Sequence, residues 1–501
     1  MPQRTTLAEL LADPSAPARA IIAPSSGAAL SYNDLAEQVE RLAAALRGAG
    51  LAPGDCVSIV LPNGLEVLVL FLALTRARLV AAPLNPAYKA DELRFYMGDA
   101  QARAVIADTA NAAVHDAAAK LGLPVWSPTA DARGQVWISP LGPAANRVPE
   151  AARPDDVALF LHTSGTTSRP KGVPLTHTNV LCSSLNIARH YELTPEDRSL
   201  VVMPLFHVHG LIGAALSTLA SGGAVIVPPR FSASEFWGLA RAHRASWYSA
   251  VPTIHQVLLA RADSDSAPHR GLRFIRSCSA ALAPATLAQL ERRFGAPVLE
   301  AYGMTEAAHQ VASNPPPPRP HKPGTVGVGT AEVAVIDDAG HHLGANMPGE
   351  VVVRGPTVMR GYRNNPEANA AAFIDGWFRT GDRGVLDADG YLALIGRIKE
   401  LINRGGEKIS PAEVDAVLLE HPAVAEAAAF GIPDAKYGEE ICAAVVLKAD
   451  ADANELAAYC RSRLADFKVP KAFHIVAALP KGPTGKIQRR ELSAMFKPGA
   501  K

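Results

Sequence analysis

The stretch His162-Thr163-Ser164-Gly165-Thr166-Thr167-Ser168-Arg169-Pro170-Lys171-Gly172 follows directly on the apolar run Val157-Ala158-Leu159-Phe160-Leu161. An apolar run of that length ending in Gly, Ser and Thr predicts a buried strand that opens into a loop. Hydroxyls and backbone N–H groups on such a loop can surround phosphate oxygens, and a lysine can neutralise them. The residue order differs from a Walker A loop, in which Gly-Lys is followed by Ser or Thr. The alternative for the segment is a plain Ser/Thr/Gly surface turn. A phosphate-bearing small molecule is the expected ligand of Thr163, Ser164, Gly165, Thr166, Thr167 and Lys171.

Composition narrows the class. A chain of 501 residues is too long for one ordinary core, so at least two domains are expected. Hydrophobic residues at 48% and charged residues at 19% describe a globular chain with enough apolar surface to fold unaided. Lys plus Arg number 49 against 48 for Asp plus Glu, so neither a broad nucleic-acid footprint nor a polybasic membrane anchor is expected. Cys56, Cys182, Cys278, Cys442 and Cys460 are scattered and form no C-x-x-C, which argues against a disulfide framework or a metal cluster. Leu65 to Leu74 is too short to span a bilayer. Leu211 to Val227 is broken by Ser217, Thr218, Ser221, Gly222 and Gly223, and reads as a buried helix followed by a strand. The N-terminus lacks the apolar core of a secretory signal, so a cytoplasmic location is expected.

Helical periodicity is clear at Leu35, Val39, Leu42, Ala43 and Leu46, closed by Gly48 and Gly50. A strand-like Val57-Ser58-Ile59-Val60-Leu61 and another apolar helix follow, an alternation expected of strands covered by helices. From about Thr325 short strands and turns take over, as in Glu332 to Ile336 and Glu350 to Arg354. The segment Gly396-Arg397-Ile398-Lys399-Glu400 is a plausible boundary. About a hundred residues follow it, enough for an independent α/β domain.

Four further segments carry chemistry. In Glu300-Ala301-Tyr302-Gly303-Met304-Thr305-Glu306 an aromatic ring, a hydroxyl and a carboxylate stand close together, suited to a base, a phosphate and Mg²⁺. Trp377-Phe378-Arg379-Thr380-Gly381-Asp382 offers a carboxylate for two ribose hydroxyls, and Gly396-Arg397-Ile398-Lys399 follows it. Pro480-Lys481-Gly482-Pro483-Thr484-Gly485-Lys486 puts a lysine on a Gly/Pro-rich loop near the C-terminus. With the first loop these make five segments that resemble, in order and separation, the signatures of the adenylate-forming enzymes, the acyl-CoA synthetases among them.

That resemblance implies an α/β protein with a large, multi-subdomain N-terminal adenylation domain (residues 1–395), a hinge at 396–400 and a small mobile C-terminal α/β cap (residues 401–501). It implies ATP and CoA as co-substrates with Mg²⁺ as cofactor. Tyr302 would stack on adenine, Thr305 would meet the α-phosphate, and Glu306 would hold Mg²⁺. Asp382 would take the ribose, Arg397 the ribose or a phosphate, Lys399 the hinge beside the nucleotide, and Lys486 the catalytic charge with Lys171, Thr305 and Glu306. Ser279, Ala280, Ala281, Glu300, Ala301 and Gly303 would line the nucleotide site, and Gly405-Gly406 would line a CoA tunnel after domain rotation.

Many relatives carry Gly and an apolar residue where this loop has Ser168-Arg169. The Ser-Arg-Pro-Lys-Gly version, with His162 before it and Val173-Pro174-Leu175-Thr176 after it, resembles the oxalyl-CoA synthetase branch. Met203-Pro204-Leu205-Phe206-His207-Val208-His209-Gly210, Ser279 and His309 point to the same acid. Oxalate is a small dianion, and its second carboxylate needs buried donors. Imidazoles and hydroxyls are suitable, with imidazolium adding charge assistance. Which of His207 and His209 faces the acid stays open. So does another short- or medium-chain acid, malonate or a fatty acid, as substrate. A metal site at His207-x-His209 lacks further ligands at suitable spacing.

Overall fold

The computed structural model describes residues 5–11, 18–142, 149–163, 170–262, 271–482 and 485–497. Two large sheets dominate the first three-quarters of the chain. One has nine strands, in the spatial order Val328–Gly329, His309–Ser313, Val298–Met304, Phe274–Cys278, Trp247–Ala250, Arg198–Leu200, Ala224–Ile226, Arg19–Ala23 and Ala28–Ser31. Its six central strands, from Val298–Met304 to Arg19–Ala23, pair in parallel. The other has seven strands and contains Val157–Thr163 paired antiparallel with Lys171–Thr176.

Between the sheets lies the main core, to which both sheets and the helices Leu65–Arg76 and His177–His190 contribute. Leu65–Arg76 is buried on nearly every side, which is why its sequence is apolar without a polar stripe. The helix Tyr32–Gly48 instead buries one face through Leu35, Val39, Leu42, Ala43 and Leu46. Ser31 and Asp34 form a capping box at its start. The segment expected to be a helix followed by a strand is helical from Val208 to Ala220, with a π-helical stretch at Leu211–Leu216, then a strand at Ala224–Ile226. No helix among the described residues is long and apolar enough to cross a membrane.

The turn-rich region expected after Thr325 forms a five-stranded sheet that includes Glu332–Ile336, Gly349–Arg354, Trp377–Leu386 and Leu392–Arg397. One 3-10 turn, Ile398–Glu400, separates it from a last five-stranded sheet built on the long hairpin Val424–Asp434 and Gly438–Leu447. That sheet has its own core of Ile402, Ile409, Val414, Leu418, Ala443 and Leu456 with their neighbours.

The terminal helix Arg489–Phe496 is tied to this last sheet by a buried ion pair. Arg489 Nη2 lies 2.5 Å from Asp415 Oδ2, Arg489 Nη1 donates to Ala429 O at 2.8 Å, and Ala429 N donates to Asp415 Oδ1 at 2.5 Å. Breaking such a pair from one side leaves a buried charge. Arg489→Ala is therefore expected to destabilise the C-terminal sheet by about 2–3 kcal/mol, below the fully buried range because Arg489 keeps some contact with water. Limited proteolysis should then release fragments cut after about residue 400 faster than in the wild type. Unchanged cleavage kinetics would show that the helix is held by its apolar face alone.

Candidate active site

Thr163 and Lys171 are direct partners across the antiparallel pair, so the base of the first loop is closed by strand pairing. Ser164, Gly165, Thr166 and Thr167 lie outside the described residues. The Lys171 ammonium sits 4.6 Å from the centre of the Tyr362 ring. Tyr362 in turn donates its hydroxyl to Glu306 Oε1 at 2.9 Å. Lys171 and Glu306, distant in sequence, thus meet around a tyrosine that no motif flagged. Thr305 and Glu306 form the turn that ends the strand Val298–Met304, at the carboxyl end of the parallel strands where open α/β sheets bind ligands.

Tyr302 and Asp382 are hydrogen-bonded through the phenol, and Arg397 Nε lies 3.3 Å from the other oxygen of Asp382. Asp382 and Arg397 are register partners in the turn-rich sheet, which fixes their approach. Burial pushes the Asp382 carboxyl up, and Arg397 opposes that shift. Glu300 faces away from this group: its Oε2 accepts from Gly324 N at 3.2 Å, and burial raises its pKa to about 7. Ala301 continues the strand, and Ser279, Ala280 and Ala281 form the open turn after Phe274–Cys278.

A second polar cluster is built around one buried cation. Arg276 is completely buried in the strand Phe274–Cys278, and no carboxylate among the described residues pairs with it. Its Nε donates to Tyr191 OH at 2.8 Å, Nη1 to Ser249 Oγ at 3.0 Å, and Nη2 to both His309 Nε2 and Gln310 Oε1 at 2.9 Å. His209 Nε2 is 2.7 Å from Ser249 Oγ, and His209 Nδ1 is 3.0 Å from Ser279 Oγ. The His209 and His309 rings stack with centroids 5.3 Å apart. His207 is half-buried, and its Nδ1 accepts from His209 N at 3.2 Å.

The chain is distorted to allow this. A Cβ on Gly213, in the π-helical stretch, would lie 2.4 Å from His309 Nε2. A Cβ on Gly303 would lie 2.0 Å from the His309 carbonyl, at the place where the strand register slips. Ala308, His309 and Ser279 all have positive φ, at 48°, 94° and 74°, a strain seen where surroundings over-determine a site. Gly303, expected against the nucleotide, makes room for His309.

Burial works against the imidazolium form that would have added charge assistance. Desolvation first, and Arg276 second, hold His209 and His309 well below the ordinary histidine range, and desolvation lowers His207 to about 3. Each is thereby held toward the neutral form, and the fixed positive charge belongs to Arg276. The sequence holds a faint signal for it, a charge inside the apolar strand Phe274-Ile275-Arg276-Ser277-Cys278.

Lys486 comes to the same cleft from the C-terminal sheet. Its loop is closed by Gly482 N donating to Lys486 O at 2.8 Å, and a Cβ on Gly485 would sit 3.1 Å from Thr253 Oγ1. The residue is exposed at the surface, yet surrounding protein and then Arg397 lower the ammonium's pKa, while Asp382 raises it. Lys486 also weighs on His207, His209 and His309. Gly405 and Gly406, with φ of 61° and 98°, form a separate exposed tip braced by Gly405 N donating to Tyr437 O at 2.8 Å. Lys399 is exposed in the turn Ile398–Glu400. No group of three or more His, Cys, Asp or Glu among the described residues is arranged to hold a metal by itself.

Comparison with known proteins accords with this geometry. Residues 12–363 match the AMP-binding enzyme family, and residues 413–486 match the AMP-binding enzyme C-terminal domain. The chain is 50% identical over 494 residues to an oxalate–CoA ligase of Arabidopsis thaliana, covering 96% of each chain. It is 44% identical over 515 residues to an oxalate–CoA ligase of Saccharomyces cerevisiae, covering 95% of this chain and 94% of the other. The crystal structure of ATP-bound MatB from Rhodopseudomonas palustris superposes with a TM-score of 0.90 at 33% identity, over 99% of both chains.

Glu300 gives a testable pH dependence. Its folded pKa of about 7 lies above the 4.5 of an ordinary glutamate, so between those values the native state holds a proton that the unfolded chain has released. The stability contributed is complete below the lower value and is lost as pH rises through the upper one, by at most on the order of 3 kcal/mol. Glu300→Gln stays neutral throughout. Its melting temperature relative to wild type should therefore climb between pH 5 and pH 8, read by thermal unfolding at each pH. A constant difference would mean that Glu300 does not change charge in that window.

Proposed function

We infer that this chain, which belongs to the AMP-binding enzyme family, is an ATP-dependent, AMP-forming acid–CoA ligase whose acid is oxalate. One observation carries the choice of acid: a wholly buried guanidinium, lacking a carboxylate partner among the described residues, behind two neutral imidazoles and a serine. Such a charge favours an anionic guest with no apolar tail. The two relatives named oxalate–CoA ligase support the same reading. The five cysteines, all unpaired, fit a cytoplasmic setting.

The reaction divides in two. An oxalate oxygen attacks the α-phosphorus of ATP while the bond to the bridging oxygen breaks, releasing pyrophosphate and leaving oxalyl-adenylate. Charge shifts among the phosphate oxygens, so the protein's task is positioning and electrostatic stabilisation. Lys486, Thr305, Lys171 and the loop hydroxyls supply the donors. Tyr302 stacks on the base, while Asp382 and Arg397 take the ribose, with Ser279, Ala280, Ala281 and Ala301 beside them. Glu306 would hold Mg²⁺, which neutralises the phosphates. The fit is that of a single carboxylate, one oxygen on Tyr362, with substrate oxygens completing the shell.

In the second step the thiol sulfur of CoA attacks the acyl carbon, its proton passes to water, and the acyl carbon–oxygen bond breaks to release AMP. We assign residues 1–395 to an adenylation domain and 401–501 to a cap that turns about Lys399, exchanging Lys486 for the Gly405-Gly406 tip. The 3-10 turn between two independently cored sheets supports that hinge.

The acid assignment is tested with a panel of carboxylic acids in an assay of acid- and CoA-dependent AMP formation. Oxalate should show a higher kcat/KM than malonate, acetate or hexanoate. A preference for hexanoate would leave the ligase reading standing and overturn oxalate.

The two-step division is tested with variants. Lys486→Ala should lower adenylate formation by at least about two orders of magnitude, the cost of one preorganised donor. Thioester formation from supplied oxalyl-adenylate should survive. Lys399→Pro fixes φ and restricts its neighbour, so it should impair thioester formation more than adenylation. Equal loss of both half-reactions in each variant would refute the rotation.

A further inference from the structure

The hydrogen bonds around Arg276 have a direction that their distances alone do not reveal. A guanidinium carries only donors. His309 Nε2, 2.9 Å from Arg276 Nη2, must therefore accept, which puts the proton of the neutral His309 ring on Nδ1. Ser249 Oγ accepts from Arg276 Nη1 at 3.0 Å and has one proton of its own to give. His209 Nε2, at 2.7 Å, is the acceptor within reach. A proton on Nε2 instead would make Ser249 accept twice and leave its own hydrogen without a partner in a fully buried place.

His209 is then also an Nδ1–H tautomer, and that N–H donates to Ser279 Oγ at 3.0 Å. Ser279 has its acceptor role filled from behind. It stands half-buried on the open turn after Phe274–Cys278, with its hydroxyl proton free to point into the cleft. Reversed, the chain would have Ser279 spend its proton on His209 and offer the cleft only lone pairs.

We propose that Arg276 and Ser249 are positioning residues that set the polarity of a one-way chain, Arg276 to Ser249 to His209 to Ser279, so that Ser279 donates its proton to the acid's carboxylate. Each link after Arg276 is a neutral donor, and none needs an imidazolium. The inference rests on the ligase reading only for the identity of the carboxylate. The polarity itself is a property of the free protein.

The test uses the full-length protein labelled with ¹⁵N at histidine, with ring signals assigned through His209→Gln and His309→Gln. Long-range ¹H–¹⁵N correlation reports which ring nitrogen carries the proton. Both His209 and His309 should be Nδ1–H in the free wild-type protein. Ser249→Ala should shift His209 toward Nε2–H or a tautomer mixture and leave His309 as it was. In the same variant the KM for the preferred acid of the panel should rise on the order of tenfold while the KM for ATP holds, the usual effect of losing one donor to a charged group. Ser249→Thr keeps the hydroxyl and should restore both the tautomer and the KM.

Nε2–H at His209 or His309 in the wild-type protein overturns the proposal, even if Ser249→Ala fails to fold. So does a folded Ser249→Ala protein with unchanged tautomer and acid KM. A preferred acid other than oxalate, found with both rings Nδ1–H, would overturn the substrate reading and leave the polarity intact.

Discussion

A guanidinium buried away from water, without a carboxylate partner among the described residues, is the constraint around which the acid half of the cleft is arranged. An unpaired charge in such a place is tolerated only when acceptors surround it. Here they are neutral: a phenol, a serine, an amide oxygen and an imidazole nitrogen. Bringing the imidazole within reach needs a gap at Gly213, a register slip at Gly303 and left-handed backbone at Ala308 and His309. Irregularities that look unrelated along the chain thus have one cause.

The nucleotide half has a different construction. Its charges come in opposite pairs or against rings: Asp382 with Arg397, Lys171 over Tyr362, Glu306 beside the Tyr362 hydroxyl. These contacts knit the strand after the first loop, the carboxyl end of the parallel sheet and the turn-rich sheet into one wall. Lys486 arrives from a separately cored sheet and meets both halves, since it acts on Asp382 and on the three histidines alike. A residue so placed feels the state of either half, and its position depends on how the last sheet is seated.

Much of this was legible in sequence where chemistry is local. The apolar run into a Ser/Thr/Gly loop predicted the strand Val157–Thr163, and periodicity marked the helix Tyr32–Gly48 and its buried face. A 3-10 turn at Ile398–Glu400 stands between the turn-rich sheet and the last sheet. Tyr362 and Arg276 were missed because each acts through partners far away in the chain, Arg276 through Tyr191, Ser249, His309 and Gln310. The downward shift of the buried histidines was not legible for the same reason. A histidine's charge depends on what it is buried against, and nothing near His209 or His309 in sequence announces an arginine between strands.

Substituting a remote fixed cation for protonated histidines changes what kind of selectivity such a pocket can have. Imidazolium would attract anions at low pH and lose its grip as pH rises. Neutral donors polarised by Arg276 keep their direction as pH rises, because the guanidinium stays charged and the imidazoles stay neutral. The pocket also discriminates by what it leaves unsatisfied. An acid with an alkyl tail would bury apolar carbon against Ser279 and the two imidazoles, stranding a hydroxyl proton. Sites built to hydrogen-bond a guest reject analogues lacking the partner by far more than apolar pockets reject an extra methylene. A small dianion satisfies both demands at once, because one carboxylate can approach phosphorus while the other takes the donors. Rejection of longer acids then needs no steric wall, only donors that cannot turn round.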